Sequence, residues 1–212
     1  MATTQSVTRQ RIVDASARLF MERGYTGSGL KQISEASTAT IGSLYHFFPG
    51  GKTELAAETL RASGLAYQLL VEAVFDAEDD LLAGVRACFE GAAVALEVSD
   101  FADACPIATV ALEVASTDEP LRVVTAAIFD RWLDAVEMRL AAGGVEPSQA
   151  RGLGTALVAA LEGGFLLSRA AKDATAMRHI GAAMTALVGQ AIGLASPSTT
   201  SAPSATSSAG GA

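Results

Sequence analysis

Apolar residues recur three and four positions apart along most of the 212-residue chain, the spacing that gathers them on one face of a helix. Few segments alternate apolar and polar residues for long enough to read as strands. A first helix is expected over 8–23, with Thr8 as N-cap, Ile12, Ala15, Leu19 and Phe20 inward, and Gly24 as the stop. A short helix fits 30–37, with Leu30, Ile33 and Ala36 inward, and Thr40 can cap another over 41–47. Pro49-Gly50-Gly51 breaks the chain before a long helix over 52–75. Further helices are expected over 79–99, 106–116, 119–142, 147–171 and 174–194, separated by turn residues such as Gly143-Gly144 and Lys172-Asp173. Residues 196–212, SPSTTSAPSATSSAGGA, hold no large apolar residue and read as a disordered tail.

The expected fold is all-α: an N-terminal three-helix domain over 1–51 and a helical bundle over 52–195, about nine helices in all, followed by the tail 196–212. Composition agrees. Half the residues are apolar but only 6% are aromatic, so Ala, Leu and Val carry the core, and Ala and Leu are strong helix formers. The net charge of −8 argues against a protein that coats nucleic acid. Its distribution is uneven. Residues 1–52 hold six basic side chains (Arg9, Arg11, Arg18, Arg23, Lys31, Lys52) against three acids, and the remainder holds nine against twenty. A basic head on an acidic body suits a protein that meets phosphate with one end.

Cys88 and Cys105 form no C-x-x-C arrangement, so no disulfide framework is expected and the cytoplasm is the default compartment. The start of the chain lacks the apolar run of a signal peptide, and no membrane-spanning stretch or membrane partner is expected. An enzyme is not expected either. The two histidines, His46 and His179, are far apart in sequence, and no metal spacing, nucleophile elbow or dinucleotide fingerprint is present. No cofactor is expected.

Residues 30–48, LKQISEASTATIGSLYHFF, place two short helices across a tight turn at Thr38-Ala39. This is how a helix-turn-helix is built, the second helix entering the major groove of double-stranded DNA. The short residues Thr40, Gly42 and Ser43, with Ile41, would let that helix approach base edges. Tyr45 and His46 can reach phosphate oxygens, as can Lys31 and Lys52 at neighbouring helix starts. Leu44 and Phe47 are expected in the core.

These residues resemble a known family. RIVDASARLFMERGY at 11–25, the run Ile33–Phe48 and PGGKTELA at 49–56 are similar to the DNA-binding domain of TetR-family regulators. Downstream, CPIATVALE at 105–113 and LEGG at 161–164 resemble the ligand-binding domain of the LmrA/YxaF-like subgroup. The sequence departs from the family pattern twice. Thr38 stands where a turn glycine is usual, so a strained non-glycine residue is expected there. Ile41 stands where many relatives carry Lys or Arg, which removes a phosphate or guanine contact and offers an apolar group to a thymine methyl.

The resemblance implies a pocket within the bundle for a small effector, here an apolar or aromatic molecule. Phe89, Cys105, Ile107, Leu112 and Phe129 are expected to line it, together with Trp132, Leu133, Val136 and Phe165. It also implies a homodimer through the last two helices, where Ala156, Ala160, Leu161, Gly164, Ala183 and Leu187 combine small side chains with apolar area. The function so implied is a ligand-responsive regulator, a repressor released from a palindromic operator by its effector. The rival readings are a ligand-independent DNA-binding protein, an activator, and a helical carrier or enzyme that keeps the head.

Overall fold

Helix α1 begins at Thr4, a turn ahead of the Thr8 cap offered by the sequence, and runs to Arg23. The computed structural model describes residues 4–195, and the tail expected over 196–212 lies outside them. Gly24 ends α1 at φ +72, where an L side chain would be strained. The Ser28 hydroxyl then donates to the carbonyls of Gly24 and Leu19 at 2.7 and 3.1 Å, folding the turn back on the helix.

Two short helices follow, α2 (Leu30–Ser37) and α3 (Ile41–Phe47). The Gly29 N–H donates to the Gln32 side chain at 2.8 Å, satisfying one of the orphan donors of a helix start. Ile33 is buried, as expected. Ala36 is exposed and Ser37 takes the inward place, because α2 is turned so that its last turn points Ser37 toward the core. Thr38 does hold the left-handed conformation, φ 54 and ψ 28. Thr40 caps α3 by accepting the Ser43 N–H at 3.1 Å. Leu44 enters the core, but its aromatic partner is Phe48, 1% exposed, with Phe47 only half-buried. Leu44 and Phe48 are four positions apart, so both fall on one face.

Helix α4 (Gly51–Asp76) is followed by α5 (Leu81–Val98), α6 (Pro106–Val114), α7 (Glu119–Ala142), α8 (Pro147–Ala171) and α9 (Thr175–Ala195). Asp80 and Asp118 cap α5 and α7, accepting the N–H groups of Ala83 and Leu121 at 2.8 and 3.1 Å, each cap contributing about 1 kcal/mol. Pro106 and Pro147 stand in first turns, where a missing N–H does no harm. Helix α8 has the length and apolarity to cross a membrane by composition alone, but it packs against α7 and α9.

Two cores result. One joins the head to α4, α6 and the first half of α7, through Phe20, Ile33, Leu44, Leu60, Ile107 and Ile128 among others. The other lies among α5, α7, α8 and α9 around Phe89, Leu96, Leu140, Leu157 and Val188. Helix α4 runs past both. The head is therefore packed on α6 as well as tethered through α4.

Candidate functional site

Helix α3 presents Ile41, Gly42, Tyr45 and His46 outward, while Leu44 anchors it from behind. The Thr40 and Ser43 hydroxyls lie 2.9 Å apart at its start, so the outer edge of the N-terminal turn is polar and small. Tyr45 is 51% exposed, and its ring lies near Gly51, where a Cβ would stand 3.8 Å from Cε1. The phenol is thus held beside the first turn of α4, where the Glu54 carboxylate accepts the Gly50 N–H at 2.6 Å. His46 packs edge-on against Phe47 at 5.0 Å. Lys31 is exposed at the start of α2.

Three other basic groups of the N-terminal region, Lys52, Arg11 and Arg9, are engaged within the chain. The Lys52 ammonium donates to the Tyr25 carbonyl at 2.6 Å and lies 4.1 Å from the Tyr25 ring centre. Burial lowers its pKa, and Glu113 opposes that. A phosphate contact by Lys52 would have to break this arrangement. Arg11 donates to the Thr38 hydroxyl at 2.9 Å. That hydroxyl in turn donates to the Ser37 carbonyl at 2.7 Å, so the strained turn is tied to α1. Arg9 pairs with Glu58 and lies 5.2 Å from the Phe48 ring centre.

The second site is a cavity of about 290 Å³ where the two cores meet beneath α4. Of the residues expected there, Phe89, Cys105, Trp132, Val136 and Phe165 line it. Four do not. Ile107 is fully buried in the core shared with the head, and Phe129 packs against that same core. Leu133 is half-buried outside the lining. Leu112 is 87% exposed, because Ile107, Val110 and Val114 take the inward face of α6. Sequence reasoning missed a whole wall: α4 supplies Tyr67, Gln68, Leu70, Val71, Glu72, Val74 and Phe75.

The lining is apolar apart from two clusters. At one end Arg139 pairs with Asp76 at 2.9 Å and Glu72 at 3.8 Å, and lies 5.9 Å from the Phe75 ring centre. At the other, Glu162 of α8 is hydrogen-bonded to the Cys105 thiol, with Tyr67 close to both. Burial pushes the Glu162 carboxyl up, opposed by the bond from Cys105. Burial also raises the Cys88 thiol and the Tyr67 phenol, each to about 12, and raises Cys105 well above its ordinary value. Both thiols are therefore protonated at neutral pH and poor nucleophiles.

The residues expected at a dimer contact divide. Gly164 is buried within the chain, a Cβ there standing 2.7 Å from the Met177 sulfur, so its smallness serves α8–α9 packing. Ala160 packs against the second core and Leu161 lines the cavity. Ala156 is half-buried. Ala183 is exposed, and Leu187 is 40% exposed. The outward stripe of α8 runs through Gly152, Thr155, Ala159, Gly163, Leu166 and Ala170, with Leu166 70% exposed.

Comparison with known proteins is consistent across sequence and fold. Residues 12–59 match the family of bacterial regulatory proteins, tetR family, and residues 82–183 match the C-terminal domain of LmrA/YxaF-like transcriptional regulators. The chain is 33% identical to the HTH-type transcriptional regulator YxaF of Bacillus subtilis, over 88% of this chain and 97% of that one. It is 33% identical to LmrA of the same organism, over 81% and 92%. The HTH-type transcriptional repressor DhaR of Mycobacterium sp. is 26% identical over 59% of this chain and 61% of its own. A TetR-family regulator from Agrobacterium tumefaciens superposes with a TM-score of 0.78 at 20% identity, covering 87% and 98% of the two chains.

Proposed function

The chain belongs to the TetR family of transcriptional regulators, in the LmrA/YxaF-like subgroup, and from this premise we propose that it is a dimeric repressor released from a palindromic operator by a small apolar or aromatic effector. TetR-family regulators bind DNA and usually act as dimers. The observation that carries the finer reading is the position of the cavity. It lies between the two cores and is walled by α4, the helix that continues directly from the DNA-binding head.

A ligand entering there presses on Tyr67, Val71 and Phe75. Tyr67 also touches the head, its hydroxyl 3.5 Å from the Met21 sulfur of α1. A second route runs along α6. Cys105 lines the cavity at its start, and near its end Glu113 accepts the main-chain N–H groups of Tyr25 and Thr26 at 3.0 and 2.6 Å. Displacing either helix moves the head. In a dimer reading two half-sites about 34–36 Å apart, such a displacement changes the spacing of the recognition helices. Ligand and DNA then oppose each other by one factor, typically 1–3 kcal/mol.

The exposed stripe of α8 and its neighbour Leu187 on α9 form the dimer contact, which also accounts for the apolarity of α8 outside the bundle. The repressor name of DhaR supports repression over activation. Action inside the cytoplasm follows from a DNA target. Footprinting on DNA flanking the chain's own gene, and a genome-wide selection of bound fragments, test the reading. A protected palindrome that is released by a cavity ligand is the expected result. Operator binding indifferent to every cavity ligand would leave a ligand-independent DNA-binding protein.

A further inference from the structure

This inference rests on reading the cavity as the effector site and concerns the charge of the effector. Among the described residues lining the cavity, Arg139 is the one basic side chain, and its charge is answered by Glu72 and Asp76. Glu162 has no such answer. Its neighbour is the Cys105 thiol, a neutral group in the same lining, and among the described residues no ion pair reaches Glu162. A carboxylate shut into an apolar cavity is unfavourable unless a positive charge joins it.

The walls beside Glu162 suit such a charge. Tyr67 and Trp132 stand edge to face with ring centres 6.5 Å apart, and Phe129 abuts Trp132 at 5.5 Å. Aromatic faces attract cations most strongly where water is excluded. The Trp132 indole N–H is already given to the Gly64 carbonyl at 2.9 Å, so this wall offers its faces and not a donor. The rest of the cavity, around Phe89, Val136 and Phe165, fits a hydrocarbon body.

We propose that the effector is an aromatic monocation, an amine protonated at neutral pH, with its ammonium on the Glu162 carboxylate beside Tyr67 and Trp132. The volume of about 290 Å³ accommodates a bicyclic aromatic with a short arm, near the lower end of usual ligand sites. The neighbouring Arg139–Glu72–Asp76 cluster adds no free positive charge to repel it. An anionic effector would meet an uncompensated carboxylate, and a fully apolar one would leave Glu162 buried without a counter-charge.

Trp132 is the single tryptophan of the chain and lines the cavity, so its fluorescence reads occupancy without DNA. The full chain is titrated with three probes of one shape: 1-naphthylmethylammonium, 1-naphthalenemethanol and 1-ethylnaphthalene. The ammonium should bind about tenfold or more tighter than either neutral probe, as a desolvated charge pair requires. In Glu162→Gln the three should converge. Equal binding of ammonium and alcohol to the native chain makes Glu162 a neutral hydrogen-bond partner and overturns the cation. This comparison needs no variant, so it stands even if Glu162→Gln does not fold. A preference that survives in Glu162→Gln places the cation elsewhere and also overturns the proposal. If none of the probes binds, the cation proposal falls together with the reading of the cavity as an effector site, whereas equal affinities leave that reading intact.

Discussion

The carboxylate of Glu113, near the end of α6, accepts the main-chain N–H of Thr26 at 2.6 Å. Its other oxygen takes the N–H of Tyr25 at 3.0 Å. One side chain of the bundle thus closes the last turn of the head's first helix, 87 residues away in sequence. Gly24 completes the fit, since a Cβ there would stand 1.8 Å from a Glu113 oxygen. Glu113→Ala removes two hydrogen bonds and leaves half-buried Lys52 without its nearby negative charge. The expected loss of stability is about 1–3 kcal/mol, read by urea denaturation. Where α6 transmits the ligand's effect, the variant should also bind a cavity ligand normally while its operator affinity responds less. An unchanged ligand effect on operator binding would remove α6 from the route.

Thr38 sets a second test. A β-branched residue at φ 54 carries strain of about 1–3 kcal/mol, offset by the hydrogen bonds of its hydroxyl to Arg11 and the Ser37 carbonyl. Thr38→Gly relieves the strain and loses the bonds, so its stability should stay within about 1 kcal/mol of the native chain. Thr38→Val keeps the strain and loses the bonds, and should be the least stable of the three. Thermal denaturation of the set reads this order directly.

The sequence showed the helices of this fold well because each boundary carries its own chemistry. Gly24 at positive φ, Thr40 on the Ser43 N–H, and Pro106 and Pro147 in first turns are local devices that need no tertiary knowledge. Helix faces were harder where apolar residues surround the axis. On α6, Ile107, Val110 and Val114 share a face by spacing, which leaves Leu112 outside; reading apolar type alone put it in the cavity. On α4, Tyr67, Val71 and Phe75 fall four apart and mark one face, the one that lines the cavity, a signal that was present and unused. No local pattern could show that Lys52 would turn onto Tyr25, since its position depends on the loop before α2 and on Glu113 from a distant helix.

Glu162 makes the stability of the chain depend on pH in a particular direction. Burial raises its folded-state pKa above the unfolded value. A carboxyl so raised holds its proton longer in the folded state. Its stabilising contribution is complete below the unfolded pKa and is lost as pH rises through the folded one. Of the groups beside it, Tyr67 and Cys105, the Cys105 thiol opposes the rise, and burial outweighs it. Tyr67 is raised to about 12 and Cys105 well above its ordinary value, so both stay neutral while Glu162 titrates. Stability of the native chain relative to Glu162→Gln should therefore fall as pH rises above the ordinary glutamate range. Paired urea titrations across that range measure the difference, and a flat difference would mean that Glu162 is solvated.

Gly91 gives a way to close the cavity without disturbing the fold. It lies on α5, lines the cavity, and a Cβ there meets nothing within 4 Å. Gly91→Leu should fill the space from one side and abolish the Trp132 fluorescence response to bicyclic probes. Helix propensity favours the variant by about 0.8–1 kcal/mol, so its melting temperature should hold or rise. Operator binding should persist and become insensitive to ligand. A variant that still responds to ligand would move the effector site away from this cavity.

The exposed residues of α3 separate contacts that position the protein from those that read sequence. Tyr45, half exposed with its ring near Gly51, offers a neutral donor for a phosphate oxygen, a contact that carries no sequence information. Tyr45→Phe should then weaken binding to every operator variant by a similar amount, about 1 kcal/mol. Because the lost donor is uncharged, the slope of log affinity against log salt should hardly change. Ile41, 41% exposed at the start of the recognition helix, has no hydrogen bond to offer and can discriminate only through an apolar contact such as a thymine methyl. Ile41→Ala should leave most operator variants nearly unaffected and reduce the preference at one base pair by about 1 kcal/mol or more. Affinities measured over a saturation library of the protected site distinguish the two patterns. A uniform loss in Ile41→Ala, or a base-specific loss in Tyr45→Phe, would exchange their roles and require α3 to lie differently in the groove.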